Sequence, residues 1–198
     1  MTQAAILVGG RGTRLGTLTA AMPKPLIDVG GAPFLDIVLR QVERHGVDRV
    51  LLLAGFKSDR VCDYVDTSPW RRRLCSVLVE PEPAGTGGAL WYARDRLDDV
   101  FLFLNGDTLF DINLQSLLNK LVQHPPMHGV IARRMDGASG GIYAMRSSFI
   151  TDRLRPISSL ESHIITNDHF ISMSFARYFV DIGTPSELER ARRDLREN

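Results

Sequence analysis

Four short apolar runs, Ala4 to Val8, Val50 to Ala54, Cys75 to Val79 and Val100 to Leu104, constrain this chain more than any other feature. Each is apolar almost throughout and bounded by polar turns, the mark of a strand buried on both faces. Between them lie stretches of helical period, Phe34 to His45, Ser58 to Val65 and Thr86 to Leu97. Strand and helix in alternation predict an α/β fold, a doubly wound, mostly parallel sheet covered by helices. Leu114 to His124 reads as a further helix, "HGVIARRM" and "GGIYAM" as strands, and "PSELERARRDLREN" as a closing helix with Pro185 near its first turn. At 198 residues this is a single domain, a size that buries roughly 70% of the unfolded surface.

In such sheets ligands sit at the carboxyl ends of the strands, and "GGRGTR", "EPEPAGTGG" and "NGDTLFD" all begin there. The guest must be drawn locally. Lys and Arg total 24 against 23 Asp and Glu, a net charge of +1, so no global field recruits nucleic acid or an anionic membrane. No apolar run approaches the roughly 18 residues of a membrane span, and the N-terminus lacks a leader pattern, so a cytoplasmic protein is expected. Cys62 and Cys75 have no C-x-x-C spacing and read as packing thiols; Arg71 to Arg73 reads as a solvated patch. The five histidines are scattered without metal-ligand spacing.

The stretch "LVGGRGTRLGTLTAAMPKP", residues 7–25, carries the first chemistry. Gly9, Gly10 and Gly12 let successive N–H groups turn toward one anion. A dinucleotide fingerprint starting at Gly10 would need its third glycine at Leu15, and no Lys-Ser or Lys-Thr closes a P-loop. What remains is a glycine turn with a fixed guanidinium, Arg14, and a lysine, Lys24, held between Pro23 and Pro25.

Asp107 follows a buried strand and abuts Gly106, and Asp181 in "YFVDIGTP" again follows apolar residues and precedes a glycine, Gly183. A carboxylate so placed suits magnesium, which takes one or two carboxylates and leaves its other positions to phosphate and water. Two carboxylates about 4 Å apart repel by roughly 4 kcal/mol at an effective dielectric of 20, so if they meet they require a cation between them. Asp111 reads as a helix cap rather than a ligand.

Taken in order, "LVGGRGTRL" with "PKP", "EPAGTGGAL", "NGDTLFD", "GGIY", "SLE" and "FVDIGTP" resemble the sugar-1-phosphate nucleotidyltransferases over nearly the full chain. Within that family the pattern is most similar to the D-glycero-D-manno-heptose 1-phosphate guanylyltransferases, and the mannose-1-phosphate guanylyltransferases share most of it. The resemblance implies a Rossmann-like, glycosyltransferase-A-like fold whose nucleotide-binding part spans about residues 1–125 and whose sugar-binding part, with the second metal ligand, spans about 126–198. It implies that Val8, Gly9, Gly10, Gly12, Thr13 and Arg14 hold a nucleoside triphosphate with Asn105 and Asp107, and that Lys24 steadies the reacting phosphates. Arg14, Lys24 and Asp107 are then the catalytic set, and Asp107 and Asp181 hold Mg2+. Glu80, Gly85, Thr86 and Gly88 would border the base, where a glutamate acceptor suits guanine while uracil, thymine and adenine stay open. Gly106, Gly140, Gly141 and Glu161 would face the sugar.

The implied reaction joins GTP, or another triphosphate, to a sugar 1-phosphate, with no protein nucleophile and with homo-oligomers possible. A nucleotide-binding, catalytically weak regulatory homologue is the alternative of another class, and retention of Arg14, Lys24, Asp107 and Asp181 favours the enzyme. One region departs from the pattern. Between "GVIARRM" and "GGIYAM" the family carries a longer segment with an R-Y-G strand and an F-x-E-K-P motif, which contributes an acidic contact to sugar hydroxyls and often a lysine to the sugar phosphate. Here only "DGAS" intervenes. Either those elements are lost or the sequence omits mobile loops, and the motifs surviving on both sides favour the second reading.

Overall fold

A computed structural model describes residues 1–165 and 168–195. In chain order the elements are β1 (Gln3–Leu7), β2 (Asp28–Val29), β3 (Ala32–Pro33), α1 (Phe34–Arg44), β4 (Arg49–Ala54), α2 (Ser58–Asp66), α3 (Pro69–Leu74), β5 (Cys75–Val79), α4 (Gly85–Ala93), β6 (Val100–Asn105) and β7 (Thr108–Phe110). They continue as α5 (Leu114–Val122), β8 (Gly129–Arg134), β9 (Ser139–Arg146), α6 (Ser147–Arg153), α7 (Leu160–Ile165), β10 (Phe170–Phe175), β11 (Phe179–Asp181) and α8 (Pro185–Asp194).

Seven strands form one sheet in the order β10-β8-β9-β6-β1-β4-β5. β9 runs antiparallel to both its neighbours, and the other pairings are parallel. The four apolar runs are therefore the sheet's centre and one flank, as their composition predicts. Because side chains alternate across a strand, each run feeds two cores. Ala4, Ile6, Leu52, Leu102 and Leu104 pack with α1, α2, α5 and α8, whereas Ala5, Leu51, Leu53, Phe101 and Phe103 pack with α4, α6 and α7. No helix among the described residues is long and apolar enough to cross a membrane.

Two helix starts carry side-chain caps. The Asn113 side chain accepts from Gln115 N at the start of α5, and Thr184 accepts from Glu187 N at the start of α8, with Pro185 in its first turn. Asp111 is thus not the cap expected of it; it pairs instead with Arg44 at 3.0 Å on the surface. Cys75 is buried in β5, where desolvation pushes its thiol up to about 12, and Cys62 is half-buried in α2; neither is in a disulfide. Arg71 departs from the solvated patch expected of it. It forms a two-point ion pair with Asp36 on the buried face of α1, and Arg73 pairs with Glu43, leaving Arg72 exposed.

The short segment after Met135 is a closed turn. Arg134 N donates to Ala138 O at 2.9 Å, Gly137 N to Arg134 O at 3.0 Å, and Ala138 N to the Asp136 carboxylate. β8 and β9 join directly through it, with only the short turn between them.

Candidate active site

The carboxyl ends of β1 and β6 carry the site. β1 runs into the glycine loop, where Gly12 adopts a left-handed φ of 59° that a side chain rarely tolerates. A Cβ there would also stand 2.9 Å from Thr19 Cγ2. The buried Thr19 hydroxyl faces Gly12 O at 3.1 Å and Gly16 O at 3.2 Å, pinning the loop back on itself. Sequence reasoning missed Thr19. Its signal was a β-branched hydroxyl in a segment otherwise turn-like. Thr13 and Arg14 lie exposed on this loop, with Arg14 near enough for its charge to act on Asp181.

Asp107 sits in the turn between β6 and β7. β7 pairs antiparallel with β11, Thr108 opposite Asp181, and Ile182 N donates to Asp107 O at 3.0 Å. This two-stranded ribbon brings together two residues far apart in the chain. Phe110 anchors it, fully buried, edge-on to Phe175 and Phe179 at centroid distances of 6.1 and 5.5 Å. Each such contact contributes about 1 kcal/mol beyond burial. Gln41 of α1 adds a buried hydrogen bond to Phe110 O at 2.5 Å.

Between the two carboxylates stands Lys24. Its ammonium pairs with Asp107 and lies 3.8 Å from Asp181 Oδ1. The cation demanded by two converging carboxylates is, in this state, the protein's own lysine. It does not satisfy both, because 3.8 Å is beyond hydrogen-bonding reach and Asp181 Oδ1 remains buried without a partner. Burial first, and then the Asp107 charge, raise the Asp181 carboxyl above the usual carboxylate range, with Lys24 offsetting part of it. Glu187, which the sequence reading also missed, adds further negative charge here, its carboxylate held by the Thr184 hydroxyl at 3.0 Å. Its signal was the T-P-S-E capping box. Two hard oxygen ligands with a spare buried oxygen fit a small divalent cation completed by phosphate and water. Among the described residues no cluster of three or more metal-ligating side chains exists.

A pocket opens beside Lys24 and Asp107, lined also by Leu7, Val8, Gly10, Pro25, Thr86 and Asn105. Glu80 lies outside that lining, at the end of β5. Its carboxylate occupies the space left by Gly55, where a Cβ would come within 2.0 Å, and burial raises its carboxyl despite the N–H of Ala84. Several of the glycines expected at ligand contacts also have packing duties. A Cβ on Gly85 or Gly88 would meet Ser158 O at 2.6 Å or Pro156 O at 2.3 Å, so the loop before α7 packs closely on these positions. Gly106 packs on Leu7 O, and Gly140 on the Phe110 ring. Gly9 likewise packs on Gly55, while Gly141 lies against the Asn105 side chain.

Beside the pocket lies a second, hydroxyl-rich cluster. Thr86 and Ser159 both donate to Glu161 Oε2 at 2.7 Å, and Thr86 Oγ1 accepts from Leu160 N. The Tyr143 and Ser139 hydroxyls are 3.0 Å apart, and Glu161 lies close enough to Tyr143 to help raise its phenol, after burial. Thr86 lines the pocket and bonds Glu161, so the hydroxyl cluster adjoins the pocket at that residue.

A phosphate-sized pocket over a carboxylate pair, at the carboxyl edge of a doubly wound sheet, defines a nucleotide-handling α/β enzyme. The chain belongs to the nucleotidyl transferase family, which its residues 3–139 match. It is 28% identical to the D-glycero-alpha-D-manno-heptose 1-phosphate guanylyltransferase of Aneurinibacillus thermoaerophilus over 227 residues, covering 98% of each protein. That span exceeds the 198 residues here, so the relative carries positions this chain lacks. Similarity to the bifunctional protein GlmU of Methanococcus maripaludis is 26% over 92% of this chain, which spans about half, 51%, of that relative. HddC from Yersinia pseudotuberculosis, solved in complex with GMP-PN, has a TM-score of 0.84 at 25% identity and covers 98% of this chain and 100% of its own. The family generally uses a divalent metal.

Proposed function

We propose that this enzyme transfers a nucleotidyl group, GMP from GTP by preference, to a sugar 1-phosphate, with D-glycero-D-manno-heptose 1-phosphate as acceptor. The carrying observation is the half-satisfied trio of Lys24, Asp107 and Asp181, of which Lys24 and Asp107 line a pocket shared with the glycine loop. A purely structural ion pair has no reason to leave a buried carboxylate oxygen unpaired. The guanine preference is supported by the guanylyltransferase relative and the GMP-PN held by HddC.

In the proposed reaction an oxygen of the sugar 1-phosphate attacks the α-phosphorus. The bond from that phosphorus to the β-bridging oxygen breaks, and pyrophosphate leaves. The nucleophile is already an anion, so the barrier lies in joining two polyanions and neutralising developing charge. The glycine-loop N–H groups and Arg14 hold the triphosphate, and Lys24 turns from Asp107 toward the reacting phosphate oxygens. Asp107 and Asp181 would hold Mg2+, which when bound supplies Lewis-acid neutralisation of those oxygens. Glu161, Thr86, Tyr143 and Ser139 offer the acceptors and donors that a polyhydroxyl sugar requires.

Pyrophosphate release measured with GTP, UTP, dTTP, CTP and ATP across a panel of sugar 1-phosphates tests the reading. GTP with D-glycero-D-manno-heptose 1-phosphate is expected to rank first, ahead of mannose 1-phosphate. A tenfold preference for UTP or dTTP, about 1.4 kcal/mol, overturns the base assignment, and a clear preference for glucose 1-phosphate overturns the sugar. Nucleotide binding without turnover on any acceptor would replace the enzyme with a regulatory homologue.

A further inference from the structure

The two edges of the sheet are treated differently. At β5 the guanidinium of Arg96 donates to Val77 O at 3.2 Å, and α2 and α3 pack alongside. At the other edge β10, "FISMSF", runs in unbroken register with β8 and has no strand beyond it among the described residues. Exposed edges are normally blunted by lysine, proline, a bulge or an inward charge, because unpaired N–H and C=O groups template another strand. β10 has none of these.

Its ladder fixes which groups are free. Gly129 N donates to His169 O, so in this parallel pair His169, Ile171, Met173 and Phe175 turn their backbone groups to β8. Phe170, Ser172 and Ser174 therefore turn theirs outward. The side chains alternate as well. Ile171, Met173 and Phe175 are partly buried against the core on one face, while Ser172 and Ser174 are exposed on the other.

We propose that β10 is a self-association edge, pairing antiparallel with β10 of a second copy about a two-fold axis through Met173. Centred there, every contact is like with like. Ile171 lies opposite Phe175 of the second copy, and Met173 opposite its own counterpart, forming one apolar ladder across the interface. Ser172 lies opposite Ser174 on the other face, and these two supply the outward backbone groups that the hydrogen-bonded pairs need. The exposed acidic end at Asp168 also approaches the exposed basic end at Arg177 of the other copy. An isologous pairing of this kind closes at two copies, and the blunted β5 edge gives it no way to continue into a filament. The inference concerns assembly alone and does not depend on the proposed reaction.

Light scattering coupled to gel filtration, with two variants, tests it. The native chain is expected to be a dimer at micromolar concentration. Ser174→Pro removes an outward N–H that β8 does not use, so circular dichroism and thermal midpoint should hold while the dimer Kd rises at least tenfold. Met173→Cys places two thiols across a non-hydrogen-bonded pair, where Cα atoms about 4.5 Å apart lie within disulfide range. Added diamide should link this variant into a covalent dimer, whereas the native chain, with Cys75 buried and Cys62 in α2, should remain unlinked. A monomeric native chain, a folded Ser174→Pro protein that stays dimeric, or a dimer in which Met173→Cys does not link would each overturn the proposal.

Discussion

Asp36 and Asp181 are both carboxylates drawn largely out of water beside a cation, and they differ in what is left over. Asp36 accepts from the Tyr64 hydroxyl at 2.5 Å and from Arg71 at 2.9 Å on one oxygen, and from Arg71 at 2.6 Å on the other. The guanidinium also stacks over the Tyr64 ring at 4.0 Å. No capacity remains for a guest. Asp181 stands near Lys24 and Asp107 with one oxygen unpaired and its carboxyl raised by burial and like charge. The first cluster staples α3 to α1 at the far flank of the sheet; the second holds unspent electrostatic capacity at the pocket floor. Saturation, rather than the presence of charge, separates a structural ion pair from a reactive one.

The largest test of that contrast is at the floor. Asp107→Asn and Asp181→Asn keep shape and remove charge, so each is expected to lower turnover by at least about 100-fold, the scale of losing one preorganised contact. Far-ultraviolet circular dichroism should stay native. Near-normal metal-dependent turnover in both variants would remove this trio from the chemistry.

Arg71→Met should do the reverse. It strands Asp36 with only Tyr64 as partner, and breaking a mostly buried pair, discounted for the residual exposure of 15% and 10%, costs about 2 kcal/mol. Urea unfolding measures that loss, and kcat and KM should scarcely move. A variant that folds with native stability but loses turnover would merge the two clusters into one functional unit.

The contrast also governs what the sequence could disclose. Asp107 and Asp181 were legible because each follows an apolar strand with a glycine within two residues, a purely local signal, and Lys24 because two prolines isolate it. Arg71 was not legible, since its partner Asp36 lies on another helix and "RRR" looks alike whether or not one member turns inward. A trace existed at Asp36, an acid on the apolar face of "FLDIVLRQV" that burial obliges to find a partner. The glycines disclosed only part of their role. Gly88 and Gly140 stand inside motifs that suggest ligand contact, and their missing Cβ also makes room for Pro156 and Phe110, a fact only the three-dimensional path of the chain can supply. The strand and helix pattern carried the sheet correctly because period and apolarity are local. The join of β7 to β11 that unites the site is long-range pairing, and no period encodes it.

Tyr64→Phe probes the saturated cluster more gently. It deletes one of three hydrogen bonds to Asp36 while Arg71 keeps both oxygens occupied, so a loss of about 1 kcal/mol is expected. Loss of several times that amount would mean that the tyrosine, rather than the arginine, carries the staple.

The smallest shift, and the one whose sign matters most, concerns the stability of Asp181→Asn. The native carboxylate is desolvated, faces Asp107 and Glu187, and leaves Oδ1 without a hydrogen bond. Replacing it with a neutral amide of the same shape removes the like-charge repulsion and adds an N–H donor that can reach toward a neighbouring carboxylate. Lys24 loses only its distant partner and keeps Asp107. The thermal midpoint without nucleotide or metal should therefore rise slightly at neutral pH, while turnover collapses. Differential scanning calorimetry of both proteins in chelator reads the sign directly. A midpoint below the native value would show that Asp181 is as fully used in folding as Asp36 is, and the distinction between the saturated and unsaturated clusters would fail at its clearest point.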